Sequence, residues 1–485
     1  MIVFGYDEKK KKGVYTGEFF DEVKEHFSVK NDAAKFARNR FAPSRKYAIT
    51  GTGRFDPCLL SEIFKYLKNN TNYPLDKIKV DDDLLKDVNP SAYDWRLNSN
   101  FSLSEYPLAL TLRDYQKEIV DKCLNHGRGT VLLATAGGKT LTMASLLSKV
   151  YTLNNDFKCC LIVPNRSLVE QTFSDFKEYS VPFGCSKWTG DDSLDMSKNV
   201  VICTTAILQS KNSDIDWLKY IDILIVDECH HIKKSNEITN IIETCQTNHK
   251  FGFTGTLPED KIDQWTIIGK LGPVIFQRKS YELRKDKHVV PAIAQVIELY
   301  YKKKPIRDFG FGNAVDNYKK EIDFLIESQF RNQTIKKLSA NCQNNALILV
   351  DYLEHGETIY KLLNSTLKDK KVFYITGEMG VEKREEIRKI MEMENNVICV
   401  AISKIFSTGI NIKNLHYIIF AGGGKSKIKV LQSIGRGLRL HESKNTLYIV
   451  DIADQLYYGM QHQMKRQEFY EQENIPHQKV KINEK

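Results

Sequence analysis

The chain has 485 residues, of which 42% are hydrophobic and 27% charged, and its formal net charge is +10. A chain of this length exceeds one compact core, so two to four domains are expected, and the composition excludes an intrinsically disordered protein. The positive charge is compatible with a polyanionic partner, because lysine and arginine placed on phosphates release counterions, but charge alone does not identify one.

The chain begins MIVFGYDEKKKK, in which the lysines follow the apolar run. A secretory signal has the opposite order, and the longest apolar runs of the chain have the length of strands, not the roughly 20 residues of a membrane span. An intracellular protein with no membrane partner is therefore expected. Residues 1–105 mix short strands with helix-like runs such as Cys58–Lys68 and end in the polar stretch DVNPSAYDWRLNSNFSLSEYP, which indicates a linker.

The second segment, residues 106–285, alternates apolar runs of strand length with amphipathic helical patterns such as Leu141–Thr152 and Ser167–Tyr179. The strand candidates are TVLLA, CCLIVP, VVICTT, DILIVD and KFGFTGT. Strands that alternate with helices predict a parallel, doubly wound sheet.

The third segment, residues 286–455, opens with a stretch rich in lysine, tyrosine and glycine (to about residue 335) that is predicted to bridge two lobes. Alternation then resumes with the strand candidates NALILVD, KVFYITG, NVICVAI, LHYIIFA and NTLYIVD, which end near Asp454. Residues 456–485 are predicted to form a helix followed by a frayed end. The sequence thus predicts an α/β protein with two parallel-sheet lobes and a small α+β N-terminal domain.

The ten cysteines are scattered, and several lie in strand-like apolar runs. No CxxC pair and no cysteine–histidine set with zinc spacing occurs, so buried, reduced thiols are predicted.

A phosphate-binding loop is indicated by LATAGGKT, Leu133 to Thr140, which follows one strand candidate and precedes a helix. Small residues allow backbone N–H groups to close around phosphates, and the helix N-terminus adds favourable partial charge. Lys139 is expected to reach the β- and γ-phosphates, and the Thr140 hydroxyl is expected to ligate magnesium. Leu133 stands where the motif usually has glycine. The small residues of the loop that complete the predicted site are Thr135, Ala136, Gly137 and Gly138.

A second glycine-rich run, GGGKSK (Gly422–Lys427), also looks like a phosphate loop. We interpret it as a flexible, basic turn, because the chain continues from it towards QSIGRGLR.

An acidic pair follows the strand candidate DILIV in the motif DECH, Asp227 to His230. Acidic residues at the carboxyl end of such a strand lie where doubly wound folds bind ligands. Asp227 is expected to hold magnesium, and Glu228 to orient and deprotonate the attacking water. A solvated acidic turn is the alternative. A metal site of Cys229, His230 and His231 is disfavoured, because three adjacent side chains do not converge on one ion from an extended chain.

The order of six motifs resembles that of the superfamily 2 helicases throughout residues 106–455. The motifs are LRDYQ, GKT, PNRSLVEQ, DECH, TGT and QSIGRGLR. The resemblance implies two RecA-like lobes of the P-loop NTPase type, ATP hydrolysis with Mg²⁺, and a nucleic-acid partner.

Nucleotide-binding roles follow from the resemblance. Gln116, with Arg113 and Tyr115, matches the motif that senses adenine, although the start of a helix is an alternative interpretation. Arg436 and Arg439 lie three apart on a predicted helix, and from the second lobe they would contact the γ-phosphate, with Arg439 as the arginine finger. The resemblance also assigns Gly409 of STGIN and Gln432 to the nucleotide site.

Coupling and strand-binding roles come from the same resemblance. The residues expected to transmit the nucleotide state are His230, Thr254 and Thr256. The residues expected to contact the nucleic-acid backbone are Arg166, Thr204, Thr205, Thr376 and Gly377. Backbone contacts of this kind carry little base preference.

Within the superfamily, FSTGINIKNLH, KSKIKVLQSIGRGLR and YITGE resemble the phage recombination helicases of the UvsW type. The N-terminal stretch from Phe19 to Phe55 resembles the small DNA-binding domain of that family, and its basic and aromatic residues suit phosphate and stacking contacts. The resemblance implies remodelling of branched DNA in the host cytoplasm by a monomeric motor, with single-strand binding or recombination proteins as partners. Three alternatives stay open: an RNA helicase, a restriction-type duplex translocase, and a nucleic-acid-binding scaffold with an inactive motor.

Overall fold

The structure is a computed structural model that describes residues 1–31, 43–90, 111–190, 192–210, 215–234, 236–308, 314–403, 412–422, 430, 433–435 and 437–485. Two compact units are present. Met1–Leu133 and Gly138–Arg278 form the first, and Ala134–Gly137 and Lys279–Lys485 form the second.

The N-terminal part of the first unit is a small α+β fold. Its four-stranded sheet has the order β5-β2-β1-β6 and its two-stranded sheet pairs β3 with β4. The strands are β1 (Val3–Asp7), β2 (Lys12–Thr16), β3 (Ser28–Lys30), β4 (Arg45–Tyr47), β5 (Arg54–Phe55) and β6 (Lys79–Val80), and the helices are α1 (Phe20–His26), α2 (Leu60–Asn70) and α3 (Asp82–Val88). Buried aromatic side chains of these elements, among them Phe4, Tyr15 and Phe55, form its core.

The remainder of the first unit carries a seven-stranded sheet with the order β13-β7-β12-β11-β8-β10-β9, in which every neighbouring pair is parallel. Its strands are β7 (Gly129–Leu133), β8 (Cys159–Val163), β9 (Cys185–Trp188), β10 (Val200–Thr204), β11 (Ile223–Asp227), β12 (Lys250–Thr254) and β13 (Val274–Arg278). Its helices are α4 (Asp114–His126), α5 (Lys139–Leu153), α6 (Arg166–Glu178), α7 (Thr205–Leu208), α8 (Glu237–Thr244) and α9 (Lys261–Leu271). The five predicted strands are confirmed, and the two edge strands β9 and β13 are additional.

The second unit carries another parallel seven-stranded sheet, with the order β16-β17-β15-β18-β19-β14-β20. Its strands are β14 (Ala292–Tyr300), β15 (Ala346–Val350), β16 (Lys371–Ile375), β17 (Val397–Ile402), β18 (Tyr417–Phe420), β19 (Leu447–Asp454) and β20 (His477–Asn483). Its helices include α10 (Ser280–Lys285), α11 (Ala314–Glu327), α12 (Gln329–Ala340), α13 (Leu353–Thr366), α14 (Val381–Met393) and a C-terminal helix, Tyr457–Gln472. The predicted α/β class with two parallel-sheet lobes is confirmed.

Two expectations for the second unit are wrong. The stretch predicted to be a loose bridge contains β14, a nine-residue strand that pairs with β19 on one side and β20 on the other. The tail predicted to fray after its helix forms β20, the edge strand of the sheet. β20 has only Val480 and Ile482 to pack against the core, so its pattern looked too polar for a strand. The domain boundaries themselves stay predictions.

The small N-terminal fold is joined to the first parallel sheet by a buried ionic contact. Arg128, next to the start of β7, forms an ion pair with Asp87 at the end of α3, and the two side chains are 4% and 7% exposed. Arg128 also donates to the Lys270 carbonyl of α9 at 2.6 Å, and the Tyr6 hydroxyl donates to Asp87 at 2.6 Å. Both charges are removed from water, so loss of either partner would leave the other as a buried, uncompensated charge and destabilise the fold.

A ring of alternating charges forms a second contact between the same two parts. Lys12 and Asp56 belong to the N-terminal fold, and Glu243 and Lys270 belong to α8 and α9. Lys12 Nζ lies 2.8 Å from Glu243 Oε1, and Lys270 Nζ lies 2.8 Å from Asp56 Oδ1. Lys12 also pairs with Asp56, and Lys270 with Glu243, which closes the ring.

Other sequence-based expectations have mixed outcomes. Nine of the ten cysteines are buried and Cys185 is partly buried, and all ten are free thiols, which confirms the prediction of buried thiols.

Within the described ranges, none of the helices combines the length and apolar character needed to span a bilayer. The polar stretch predicted as a linker lies outside the described residues from residue 91 to its end, and so does GGGKSK after its first glycine.

Candidate functional site

The predicted phosphate loop lies at the carboxyl end of β7 and leads into α5, as expected. Within it, the Gly137 N–H donates to the Ala134 carbonyl at 2.9 Å, and Ala136 and Gly138 have φ values of 69° and 84°. Left-handed residues in such a loop turn consecutive N–H groups towards one side and create a concavity for anions. A Cβ atom at position 138 would lie 2.4 Å from Gln116 Nε2, so glycine is required there for space as well as for backbone conformation.

The two best-supported catalytic candidates are in direct contact. Lys139 begins α5, and its Nζ lies 3.0 Å from Glu228 Oε1. Glu228 follows β11 with φ of 49°, a left-handed conformation that is costly for a glutamate and is typical of functional sites. Burial acts to raise the pKa of Glu228, but Lys139 and His230 outweigh it and hold that pKa well below its usual range. Glu228 is therefore a carboxylate, as a general base must be.

The pKa of the neighbouring Asp227 is shifted in the opposite direction to that of Glu228. Burial and then the adjacent Glu228 carboxylate raise its pKa, against the influence of Lys139. A buried carboxyl group beside a carboxylate favours an additional cation, which fits the predicted magnesium site. Thr140 lies in the first turn of α5, after β7, and Asp227 is the last residue of β11. Because β7 and β11 are parallel strands separated by β12, both predicted ligands lie at the carboxyl ends of strands on the same side of the sheet. Mg²⁺ commonly takes only one or two protein ligands, with phosphates and water completing its shell.

The predicted coupling residues form one hydrogen-bonded group around the DECH motif. His230 Nδ1 lies 2.8 Å from Thr254 Oγ1 and 3.2 Å from Glu228 Oε2. Thr254, at the end of β12, is fully buried, and its hydroxyl donates to the Thr256 carbonyl at 3.1 Å. Among the described residues, the buried His230 Nε2 has no hydrogen-bond partner. The contact between strands β11 and β12 therefore joins the catalytic carboxylate to the TGT motif.

The predicted adenine-sensing residues surround the start of α4. Gln116 is buried, and its Oε1 accepts the Arg113 N–H at 2.9 Å while its own N–H donates to the Arg113 carbonyl. Arg113 also donates to the Tyr115 hydroxyl at 2.9 Å. Gln116 thus caps the helix, as the alternative interpretation held, and its amide nitrogen also lies beside Gly138 of the phosphate loop. The capping role is observed, and adenine binding by the same side chain stays a prediction.

One residue near this site was missed by the sequence interpretation. The Arg278 guanidinium lies 4.6 Å from the centre of the Tyr115 ring, a cation–π distance. Arg278 ends β13, the edge strand that the sequence pattern did not predict. No local signal connects two residues so far apart in the chain.

The predicted strand-binding residues of the first unit follow two neighbouring parallel strands. Thr204 ends β10 in register with Val163 of β8, and Arg166 begins α6 just after β8. Thr204 Oγ1 caps α7 by accepting the Ile207 N–H at 3.4 Å, and Thr205 is the first residue of that helix. Arg166 is exposed. The two hydroxyls and the exposed guanidinium thus lie at the carboxyl ends of β8 and β10, on the same side of the sheet.

In the second unit, Thr376 and Gly377 follow β16, and the Gly377 carbonyl accepts a hydrogen bond from Arg384 at 2.8 Å. Arg439 lies in a bend after the helical residue at 437, and not on the helix where the sequence placed it. Just before this bend, the Leu438 N–H donates to the Ile434 carbonyl at 3.1 Å. Gly409, Gln432 and Arg436 lie outside the described residues, so their predicted roles stay predictions.

Comparisons with known proteins cover both parallel-sheet regions. Residues 109–259 match the family model "Type III restriction enzyme, res subunit", and residues 330–441 match "Helicase conserved C-terminal domain". The chain is 32% identical over 356 residues to the ATP-dependent DNA helicase uvsW of phage T4, a match that spans 70% of this chain and 68% of that protein.

Solved structures with a similar fold include enzymes that act on different nucleic acids. The type ISP restriction-modification enzyme LlaBIII bound to DNA has a TM-score of 0.56 at 14% identity, over 84% of this chain and 33% of that one. Dbp5 of S. cerevisiae bound to RNA and ADP BeF3 has a TM-score of 0.53 at 14% identity, over 76% and 89%. These likenesses establish the fold and do not distinguish DNA from RNA.

Proposed function

The chain belongs to the superfamily 2 helicases of the UvsW type and is an ATP-hydrolysing helicase, and we propose that its substrate is branched DNA. The T4 relative is a DNA helicase by name, which supports DNA over RNA as the partner. Remodelling of forks and four-way junctions inside the phage-infected cell is the activity that this relationship favours. Single-strand binding or recombination proteins as partners, and a monomeric state, belong to the same proposal.

The observation that carries the hydrolysis mechanism is the contact between Lys139 and Glu228, since it unites the phosphate loop with the acidic motif. Branched DNA as the substrate is supported by the relationship to the T4 helicase. In the proposed hydrolysis, Glu228 accepts a proton from water as the water oxygen bonds to the γ-phosphorus. The bond from that phosphorus to the bridging oxygen breaks, and its electron pair leaves with ADP. Lys139 neutralises charge on the departing phosphate oxygens. Mg²⁺, held by Thr140 and Asp227, would supply further charge neutralisation at the β- and γ-phosphates.

Coupling of hydrolysis to DNA movement is proposed to involve the His230–Thr254 contact. Thr254 connects the carboxylate-bearing strand to the TGT loop, so a change in the hydrogen bonding of Glu228 can reach Thr256 through two side chains. Arg113, Tyr115 and Gln116 are proposed to bind the adenine. The roles of Arg436, Arg439, Gln432 and Gly409 at the nucleotide, and of Arg166, Thr204, Thr205, Thr376 and Gly377 at the strand, are proposals on the family resemblance.

ATP hydrolysis and strand separation on a series of nucleic acids test this function. Duplex DNA, a forked DNA, a four-way junction and an RNA duplex are compared at equal concentration of ends, with Lys139→Ala as the inactive control. The expected result is stimulation of hydrolysis by DNA and ATP-dependent conversion of the fork and the junction. Stronger stimulation by RNA than by any DNA would contradict the proposal.

A further inference from the structure

The C-terminal strand β20 brings two lysine-rich segments of the second unit together. It pairs with β14 in parallel from Ala294↔His477 to Tyr300↔Asn483. The contact continues past both strands, because the Glu484 N–H donates to the Tyr300 carbonyl at 2.9 Å and the Lys302 N–H donates to Glu484 Oε2 at 2.8 Å. The lysines after β14 thereby become neighbours of those on β20, although about 180 residues separate them in the chain.

The alternation of β20 determines which of its side chains face outward. Val480 and Ile482 pack against the core of the second unit, so Lys479 and Lys481 are on the opposite face. Lys481 Nζ lies 5.9 Å from the centre of the Tyr300 ring. Lys479 Nζ lies 3.4 Å from Glu298 Oε1. Lys481 is exposed, and so are Lys302, Lys303 and Lys304 in the segment after β14. We call Lys302, Lys303, Lys304 and Lys481 the edge lysines.

Some exposed lysines of this unit have a carboxylate partner, and others do not. Lys361, Lys371 and Lys465 each form an ion pair with a glutamate. Within the part of the chain that the structure describes, none of the edge lysines does so.

The two glutamates nearest to the edge lysines already have other partners. Glu298 accepts hydrogen bonds from Gln463 and Tyr300 and pairs with Lys479, and Glu484 accepts the Lys302 N–H. Four lysine charges thus outnumber the single Glu484 carboxylate beside them, and a polyanion would stabilise this excess of positive charge.

The position of the edge lysines relates them to the predicted strand-binding residues of the same unit. All strands of this sheet are parallel, so their carboxyl ends lie on one side. Lys302–Lys304 follow β14 and Lys481 is near the end of β20, as Thr376 and Gly377 follow β16. β16 and β20 are the opposite edges of the sheet. Five steps between neighbouring strands separate β16 from β14, and six separate it from β20, which at about 4.8 Å each gives about 24 and 29 Å.

We propose that the edge lysines bind the phosphate backbone of DNA at a place separate from the motif residues after β16. This inference rests on the proposed function, since it takes DNA as the substrate. A second contact about 24 to 29 Å from the first suits a long duplex or a second arm of a junction and exceeds the reach of a few nucleotides of single strand. The apolar side chains of β20 face the core, so its outer face presents charge, although Ile306 beyond Lys304 is 84% exposed.

The test replaces the four edge lysines by glutamine (Lys302→Gln, Lys303→Gln, Lys304→Gln and Lys481→Gln). A matched control replaces four exposed lysines elsewhere in the same unit, Lys361, Lys368, Lys371 and Lys389, so that the net charge of both variants is equal. Dissociation constants are measured from 50 to 200 mM salt for a four-way junction and for a four-nucleotide single strand. Thermal unfolding of both variants verifies that they are folded.

For the junction, the edge variant is expected to lose affinity and to lower the slope of log K against log salt by about 2 to 4, at about 0.9 per phosphate contact. Its affinity for the short strand and its maximal DNA-stimulated ATP hydrolysis are expected to equal those of the unchanged protein. An unaltered slope would overturn the proposal, and so would an equal loss in the control variant.

Two further outcomes would overturn the proposal in an informative way. Self-association of the edge variant with an unaltered slope would mean that the lysines protect an exposed strand edge from pairing. Binding of an acidic protein that is lost in the edge variant, again with an unaltered slope for DNA, would assign the surface to a protein partner. Failure of the proposed function is distinguishable from both, since the unchanged protein would then lack DNA-stimulated hydrolysis.

Discussion

Lys139 Nζ of the phosphate loop lies 3.0 Å from Glu228 Oε1 of the acidic motif. The two side chains are 11% and 14% exposed, so the pair is only slightly screened by solvent. This proximity keeps Glu228 ionised despite its burial. It also means that a substitution at either residue changes the charge environment of the other, so variants at this site are informative only when nucleotide binding and turnover are both measured.

Glu228→Gln is expected to retain ATP binding and to lose turnover. The amide keeps the shape of the side chain but cannot accept a proton from water, and a general base commonly contributes about 10²- to 10⁴-fold. Steady-state hydrolysis and binding of a fluorescent nucleotide provide the two measurements. Glu237→Gln, in the first turn of α8, is the control and is expected to behave as the unchanged protein. Unaltered turnover in Glu228→Gln would refute the assignment of the base.

Thr254→Val is expected to reduce DNA-stimulated turnover while the KM for ATP changes little. Valine has the size of threonine but removes the hydroxyl that contacts His230 and Thr256. The buried His230 then loses a hydrogen-bond partner, at a cost of about 1 to 3 kcal/mol in stability. Hydrolysis with and without DNA is the measurement, and Thr254→Ser should restore the stimulation. Equal loss in the serine variant would indicate a packing effect.

Asp87→Asn is expected to destabilise the first unit by about 3 to 5 kcal/mol, since it leaves Arg128 as a buried charge without its carboxylate. Denaturant unfolding measures the change. Asp83→Asn in the same helix is the control, because Asp83 is half exposed and pairs with the exposed Lys86. Exposed ion pairs contribute about 0 to 1 kcal/mol. A similar, small effect of both variants would show that the Arg128–Asp87 contact does not hold the N-terminal fold in place.

The buried Lys250 predicts a pH dependence. Burial, followed by the positive charge of Arg128, lowers the pKa of Lys250 to about 8. The unfolded chain, with a lysine pKa near 10.4, then binds more protons than the folded one between about pH 8 and 10.4. This lysine therefore makes the free energy of unfolding rise with pH in that range, by up to about 3 kcal/mol.

Lys250→Met is expected to remove this rise and to stabilise the protein at pH 7. The difference in unfolding free energy between the two proteins from pH 7 to 10 is the appropriate measurement. Other titrating groups contribute equally to both proteins and cancel in this difference. Among them are buried thiols with a raised pKa, such as Cys123, which make the free energy of unfolding fall with pH. A difference that does not vary with pH would refute the prediction.

Local patterns were sufficient to predict much of the catalytic region. The strand before Ala134, the helix after Gly138 and the acidic pair after β11 are each encoded by a few consecutive residues, and parallel strands place their carboxyl ends together. The same reasoning could not detect that Gln116 lies against Gly138, or that Arg278 covers Tyr115. These contacts join separate elements and depend on how the elements pack.

The sequence by itself therefore determined the α/β class, the ten strands predicted for the two parallel sheets and the identity of the phosphate and acidic motifs, because each depends on short-range periodicity and residue chemistry. Only the tertiary structure decided that Lys139 pairs with Glu228, that Arg128 and Asp87 join the N-terminal fold to the first sheet, and that β20 completes the second. The physical reason is that burial and hydrogen-bond pairing between distant segments select among many locally acceptable arrangements. The mostly polar sequence of β20 is compatible with a solvated tail and with an edge strand. The hydrogen-bonded pairing with β14 decides for the edge strand.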